Sequence, residues 1–159
     1  MKTSWGKPVH VISFIRTLLI VLAVAVCTVA ADDLEAVRKK AEAGDADAQH
    51  YLGVMYAYGK GVAQDDTEAV KWYRKAAEQG NANAQFNLGW MYDQGKRVPK
   101  DDVTAYAWLS VAAASGDEEA RKFRESVKGR LTPSQLDRGQ VMAREISERI
   151  EKEKAAGAE

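Results

Sequence analysis

Small and aromatic positions recur along this chain at a fixed interval. Ala48, Leu52, Gly53, Met55 and Tyr56 return as Ala84, Leu88, Gly89, Met91 and Tyr92, and Ala69, Trp72, Ala76 and Ala77 return as Ala105, Trp108, Ala112 and Ala113. The interval is 36 residues. Residues 44–79 align with 80–115 without a gap, 17 of the 36 positions are identical, and a third copy opens at Gly116 with GDEEARKF before it diverges. Self-similarity at this period marks a stacked helical repeat, and such stacks make extended binding surfaces more often than reaction centres.

Each full copy predicts two helices. The first starts at Asp45 or Asn81, whose side chains can cap a helix start, and runs to about Tyr58 or Gln94. Gly59 or Gly95 follows in the position of a left-handed C-cap. The second helix starts at Asp65 or Asp101 and ends at Gly80 or Gly116. Asp65 and Glu68 stand three apart, in the spacing of a capping box. Gly53 and Gly89 fall inside predicted helices, where glycine costs about 1 kcal/mol against alanine; their recurrence points to close approach between neighbouring helices. Trp72 and Trp108 are expected to fill the gap between one hairpin and the next.

The strings GDADAQHYLGVMYAYGKGVAQDDTEAVKWYRKAAEQG and GNANAQFNLGWMYDQGKRVPKDD resemble the Sel1-like repeat family, relatives of tetratricopeptide repeats. The resemblance covers about residues 33–128. It implies an all-α fold, an α-solenoid of antiparallel helical hairpins. It also implies an adaptor role in signalling, secretion or envelope biology, in organisms that are mostly bacterial. Residues 34–43, LEAVRKKAEA, resemble the tail of a preceding second helix and serve as an N-terminal cap. At the other end Thr132-Pro133-Ser134-Gln135 is a capping box with proline at the first helical position. Leu136, Gly139, Ala143, Ile146 and Ile150 then form one apolar stripe. That helix is expected to pack on the last hairpin and hide its open end.

The expected organisation is therefore a signal peptide at 1–31, a partial repeat or cap at 32–43, and repeats at 44–79 and 80–115. A partial third repeat at 116–130 and a capping helix with its tail at 131–159 complete it. The signal peptide rests on charge and hydropathy. Residues 1–31 contain Lys2, Lys7 and Arg16 but no acid, and Thr17 to Ala31 carry no charge. Cleavage after Ala30 or Ala31 is the expectation, with export to the periplasm or beyond. The alternative is a retained anchor. Fifteen uncharged residues are short of the ~20 a spanning helix needs, so no membrane insertion is expected after cleavage.

Beyond residue 31 the chain keeps all 23 Asp and Glu but 20 of the 23 Lys and Arg, a formal net charge of −3. No basic stripe is present, which speaks against nucleic acid as a partner. The single cysteine, Cys27, lies in the predicted signal segment, so no disulfide or thiolate chemistry is expected beyond it.

Candidate chemistry is sparse, and no enzymatic activity, catalytic residue, cofactor or metal site is expected. Gly59-Lys60 lacks the spacing and the following Ser or Thr of a phosphate loop. Ser4 and Lys7 match the S-x-x-K pattern but lie in the predicted signal segment. Asp65-Asp66 and Asp101-Asp102 fall at helix starts, where capping is the default. His50 is the lone histidine beyond residue 31. Some cysteine-rich relatives in the family are described as β-lactamases. That analogy supports a rival reading as an enzyme acting on cell-wall-like substrates, but this chain lacks the paired cysteines. A third reading is a membrane-anchored scaffold.

The informative positions are those at which the copies differ. In the first helix His50/Phe86, Tyr51/Asn87, Val54/Trp90 and Ala57/Asp93 differ, and these offsets lie along one helix face. Packing positions should repeat, whereas positions free of packing can differ. His50, Tyr51, Val54, Phe86, Asn87, Trp90 and Asp93 are therefore the candidate wall of a groove for a protein or peptide partner. Trp90 is its natural anchor, with Asn87 and Asp93 setting orientation. The alternative for Trp90 is packing against the C-terminal helix.

Overall fold

Helix starts and stops follow from local chemistry, repeated almost atom for atom. The computed structural model describes residues 34–96 and 98–157; the predicted signal peptide lies outside the described residues. The chain divides into a unit Met1–Ala36, of which residues 34–36 are described and helical, and a unit Val37–Glu159 that holds the repeats. The described helices are α1 (34–42), α2 (Ala46–Tyr58), α3 (Asp66–Glu78), α4 (Ala82–Gln94), α5 (Asp102–Ala114), α6 (Glu118–Lys128) and α7 (Pro133–Ala156). The described residues contain no strand.

Asp45, Asn81 and Asp117 cap α2, α4 and α6, each side chain accepting a backbone N–H three residues on, at 2.8–2.9 Å. Asp65 and Asp101 cap α3 and α5, each accepting two backbone N–H groups. Glu68 does not close the expected box with Asp65 in return; its carboxylate pairs with Lys71. The reciprocal box forms at Thr132 and Gln135. Gly59 and Gly95 close α2 and α4 at φ 65°, donating to the Met55 and Met91 carbonyls. Only glycine takes that left-handed turn without strain.

Sequential helices pack as antiparallel hairpins: α2 on α3, α4 on α5, with α3 against α4 and α5 against α6. Close approach occurs within each hairpin. A Cβ on Gly53 would meet the Tyr73 ring at 2.7 Å, and one on Gly89 would meet Leu109 Cγ at 2.8 Å and its backbone nitrogen at 3.2 Å. Leu52, Leu88 and Leu109 are fully buried beside these contacts.

Two polar bonds link each hairpin to the helix before it. Gln49 Nε2 donates to the Ala41 carbonyl at 3.0 Å, and Gln85 Nε2 donates to the Ala77 carbonyl at 3.1 Å. Arg38 donates to the Tyr56 hydroxyl as Arg74 donates to that of Tyr92. Within the repeat unit α1 thus makes the bonds of α3. It takes the place before the first repeat that α3 takes before the second.

α7 lies on α5 and touches α3. Gly139 meets the Tyr106 ring, Thr104 meets Met142, and Ile146 and Ile150 join the cluster that buries Trp108. α7 therefore sits on the second helix of the last full hairpin, while α6 packs on α5 and α4. The two repeated tryptophans part company here. Trp108 is buried, but Trp72 stays half-exposed beneath the Lys75 ammonium, 4.3 Å from its ring centre. The expectation that both fill an inter-hairpin gap holds for Trp108 alone, because no counterpart of α7 covers Trp72.

The two buried glutamines differ in one respect. Gln49 Oε1 accepts from Gln79 Nε2 at 2.7 Å, whereas Gln85 Oε1 is buried without a protein partner. The residue equivalent to Gln79 is Ser115, whose hydroxyl turns back to the Val111 carbonyl. A buried unsatisfied acceptor costs about 1–3 kcal/mol. Ser115→Gln is expected to raise the free energy of unfolding by about 1 kcal/mol, and Gln79→Ser to lower it similarly. Urea denaturation of both variants checks this, and no gain from Ser115→Gln would refute it.

Gly89→Ala is expected to destabilise by about 1–3 kcal/mol through overpacking, despite the gain of about 1 kcal/mol in helix propensity. The obstacle includes backbone of α5, which cannot rotate away. A thermal midpoint equal to or above that of the wild type would contradict this account.

Candidate functional site

The first helices of successive hairpins, α2, α4 and α6, share one face, and a groove of about 630 Å³ opens on it. Tyr58 stands at one end from α2, with Gln64 of the α2–α3 loop and Asp66 at the start of α3. Phe86, Asn87, Trp90 and Met91 of α4 form the middle, and Glu119 and Phe123 of α6 form the far wall. Helix pitch explains the α4 set: Phe86 and Trp90 are four apart, and Asn87 and Met91 are four apart, so each pair stacks on one side of the helix.

Equivalent positions meet across each junction. Asn87 reaches back to His50, with Nδ2 donating to Nε2 of the neutral imidazole at 3.1 Å. One repeat later Phe86 meets Phe123 edge-on, ring centres 5.5 Å apart at 84°. The first junction is thus polar and the second aromatic. Edge-to-face geometry is the favoured arrangement of two rings. Trp90 lines the groove with the Lys96 ammonium 4.6 Å from its ring centre.

Three of the seven predicted residues, Phe86, Asn87 and Trp90, line the groove. His50 adjoins it through Asn87 and packs against the Tyr73 ring at 5.8 Å. Tyr51 stands open on α2, 52% exposed, and Val54 packs half-buried on the core. Asp93 has a different role from the one expected. It is 7% exposed and ion-paired with Arg130, which also holds Asp102 at 3.1 Å. Its carboxylate fastens the α6–α7 turn to α4 and α5, and cannot orient a ligand in the groove. Hydrogen bonding to Asp102, with the Asp93 charge beside it, raises the pKa of Arg130.

Sequence comparison missed Tyr58, Gln64, Asp66, Tyr73, Lys96, Glu119 and Phe123. Phe123 could have been found, because it continues the series Tyr51, Asn87 into the third copy. Lys96 is identical to Lys60 and so carried no contrast between copies. Tyr73 comes from the second helix, where the second copy carries Leu109 instead. Burial, with Tyr58 and Asp66 nearby, pushes its phenol above the usual range. The described residues contain no group of three or more His, Cys, Asp or Glu arranged to hold a metal ion.

The Sel1 repeat family matches residues 46–81 and 82–117. The chain carries two Sel1 repeats. The matched pair keeps the 36-residue period, and its first helices carry the groove. Two solved structures are similar to the chain. One is c5321, a protective antigen of uropathogenic Escherichia coli with a Sel1-like repeat fold, at 36% identity and TM-score 0.72, over 76% of this chain and 26% of that one. The other is a Sel1 repeat protein from Oxalobacter formigenes, at 42% identity and TM-score 0.56, over 57% of this chain and 26% of that one. The chain thus spans about a quarter of the length of each. No curated protein matches the chain. Sel1 repeats form helical-repeat modules for protein–protein interaction, and the fold is typically a non-catalytic scaffold.

His50 gives the groove a titration signature. Burial lowers its pKa from 6.5, against the opposing pull of Asp47. The folded state therefore favours the neutral ring, and near pH 6 the unfolded chain binds more protons than the folded one. The stabilisation is present above 6.5 and is lost as pH falls through that value toward the folded pKa. Unfolding free energy is expected to decline from about pH 7.5 to 5.5, and the slope to flatten in His50→Phe, which carries the residue of the second copy. Equal slopes in the two proteins would remove His50 from the account.

Proposed function

We propose that this Sel1-repeat protein is an exported adaptor of the bacterial envelope, which holds a segment of a partner protein in the groove across α2, α4 and α6. The observation that carries this reading is the groove itself, with Trp90 at its middle between an aromatic pair and a polar pair. A preformed concave surface built on packed helices lowers the ordering cost of binding, and a half-buried tryptophan at its centre is the residue type that dominates interface energetics. Export is supported by the basic, then apolar, then small-residue pattern of residues 1–31. The absence of cysteine beyond Cys27 separates the chain from the cysteine-rich relatives with β-lactam chemistry.

The test uses a tagged chain expressed beside its Trp90→Ala variant. Both proteins are recovered from the envelope fraction and their intact masses measured, and a photo-crosslinking residue at Gln64 marks what lies in the groove. The expected result is an N-terminus at Ala31 or Asp32, and a crosslinked protein lost from the Trp90→Ala variant at unchanged helicity. An intact Met1 would replace export in soluble form with a membrane-held scaffold. Crosslinks that are identical in the variant would move the interface off this groove.

A further inference from the structure

We propose that the partner segment presents a basic side chain, arginine foremost, between apolar residues, so that the cation sits on Trp90 against Glu119. This rests on the groove being the binding site and adds the chemistry of what enters it. The first observation is the occupant already present. The Lys96 ammonium lies 4.6 Å from the Trp90 ring centre, within the range in which a ring face attracts a cation. The ring is thus a cation site that the chain fills from its own loop.

The second observation is charge. Glu119 lines the groove and is exposed, and no hydrogen bond or ion pair to its carboxylate is present among the described residues. The other carboxylates of α6 are engaged: Glu118 with Arg121, and Glu125 with Arg124 and Lys128. Among the described residues, Lys96 is the basic member of the lining. Residues 32–159, at net −3, add a field of the same sign.

The third observation is the wall. Phe86 and Phe123 meet edge-on, and Tyr58 is 71% exposed at the other end. Those surfaces suit the apolar neighbours of the basic residue. Arginine fits better than lysine, because its planar guanidinium can lie on the indole face while its edge donates two hydrogen bonds to one carboxylate.

An acidic segment is the competing ligand, and Lys96 discriminates the two. A basic side chain must displace the Lys96 ammonium from Trp90, so Lys96→Met should tighten its binding. An acidic segment would use Lys96, so the same change should weaken it. The test measures fluorescence anisotropy of labelled, end-blocked peptides with a Phe-Arg-Phe core, and of the same peptides with citrulline or glutamate for arginine. Each is titrated with the 159-residue chain and its Glu119→Gln, Lys96→Met and Trp90→Ala variants, with helicity confirmed by circular dichroism.

The expected result is about tenfold tighter binding of the arginine peptide than of the citrulline peptide at low salt, the scale of a charge-assisted hydrogen bond. Glu119→Gln should remove most of that difference, and Lys96→Met should strengthen the arginine peptide severalfold. Preference for glutamate, or weakening by Lys96→Met, overturns the cation assignment and leaves the groove standing. Equal binding of the arginine and citrulline peptides, lost in Trp90→Ala, does the same. No binding of any peptide by the folded protein overturns the groove reading as well.

Discussion

A side-chain amide donated to a last-turn carbonyl sets where each hairpin sits on its predecessor. Gln49 reaches the Ala41 carbonyl and Gln85 reaches that of Ala77, both from the first turn of the incoming helix. The carbonyls at a helix C-terminus have no partner within the helix, so each helix end offers a fixed acceptor and each new hairpin brings the donor. Both glutamines are buried among alanines, where the loss of such a bond leaves an orphan group and costs more than the bond itself is worth. The rest of the stack depends on this placement. Once the first helix is held there, Gly53 and Gly89 bring the second helix close, and the arginine-to-tyrosine bond ties the outer edge. At the position equivalent to Gln49 and Gln85 the third copy carries Arg121, which pairs with Glu118. The strict repeat stops there, and hydrophobic contact through Ala120, Phe123 and Val127 takes over.

Much of this was legible in the sequence, because the devices are local. Caps, left-handed glycines and the Thr132 box each involve residues within a few positions of one another, so residue type and spacing suffice to place them. Non-local consequences were less legible. Gln49 and Gln85 are identical between copies, yet identity alone does not separate a buried polar link from a surface preference. Trp72 and Trp108 are identical too, and their surroundings differ only because α7 covers one of them. Residue identity reports what a position can do, and the neighbour decides which use it has.

The groove illustrates the opposite limit. Divergence between copies led to Phe86, Asn87 and Trp90, because positions released from packing can drift. Asp93 diverged for another reason. It acquired a new partner, Arg130, in a segment that the first repeat does not face. A changed residue is therefore either free or re-paired, and two copies of a repeat cannot distinguish these. Lys96 shows the converse: it is unchanged, but acts on Trp90, which is not. The first copy has Val54 at that position and supplies an aromatic face to Lys60 from Tyr58 instead, 5.6 Å away. The same loop lysine thus finds a ring in each repeat by a different route.

Arg130 also explains why the stack can be closed without closing the groove. A chain that ends in a long amphipathic helix could lay that helix along its own concave face, where Trp90, Phe86 and Phe123 offer apolar surface. The turn between α6 and α7 is instead held against the C-terminal end of α4 and the N-terminal end of α5, through Asp93 and Asp102. From that fixed point Pro133 starts α7 along α5, and Gly139 lets it settle on Tyr106. The apolar stripe then covers Trp108 and the end of α3. Each buried isoleucine on that stripe contributes about 1.5–3 kcal/mol, drawn from the side of the stack away from the groove. The closing contacts and the groove thereby lie on different sides of the same stack. The groove side can keep exposed aromatic rings and, among the described residues, an unpaired carboxylate because the other side carries the closing helix.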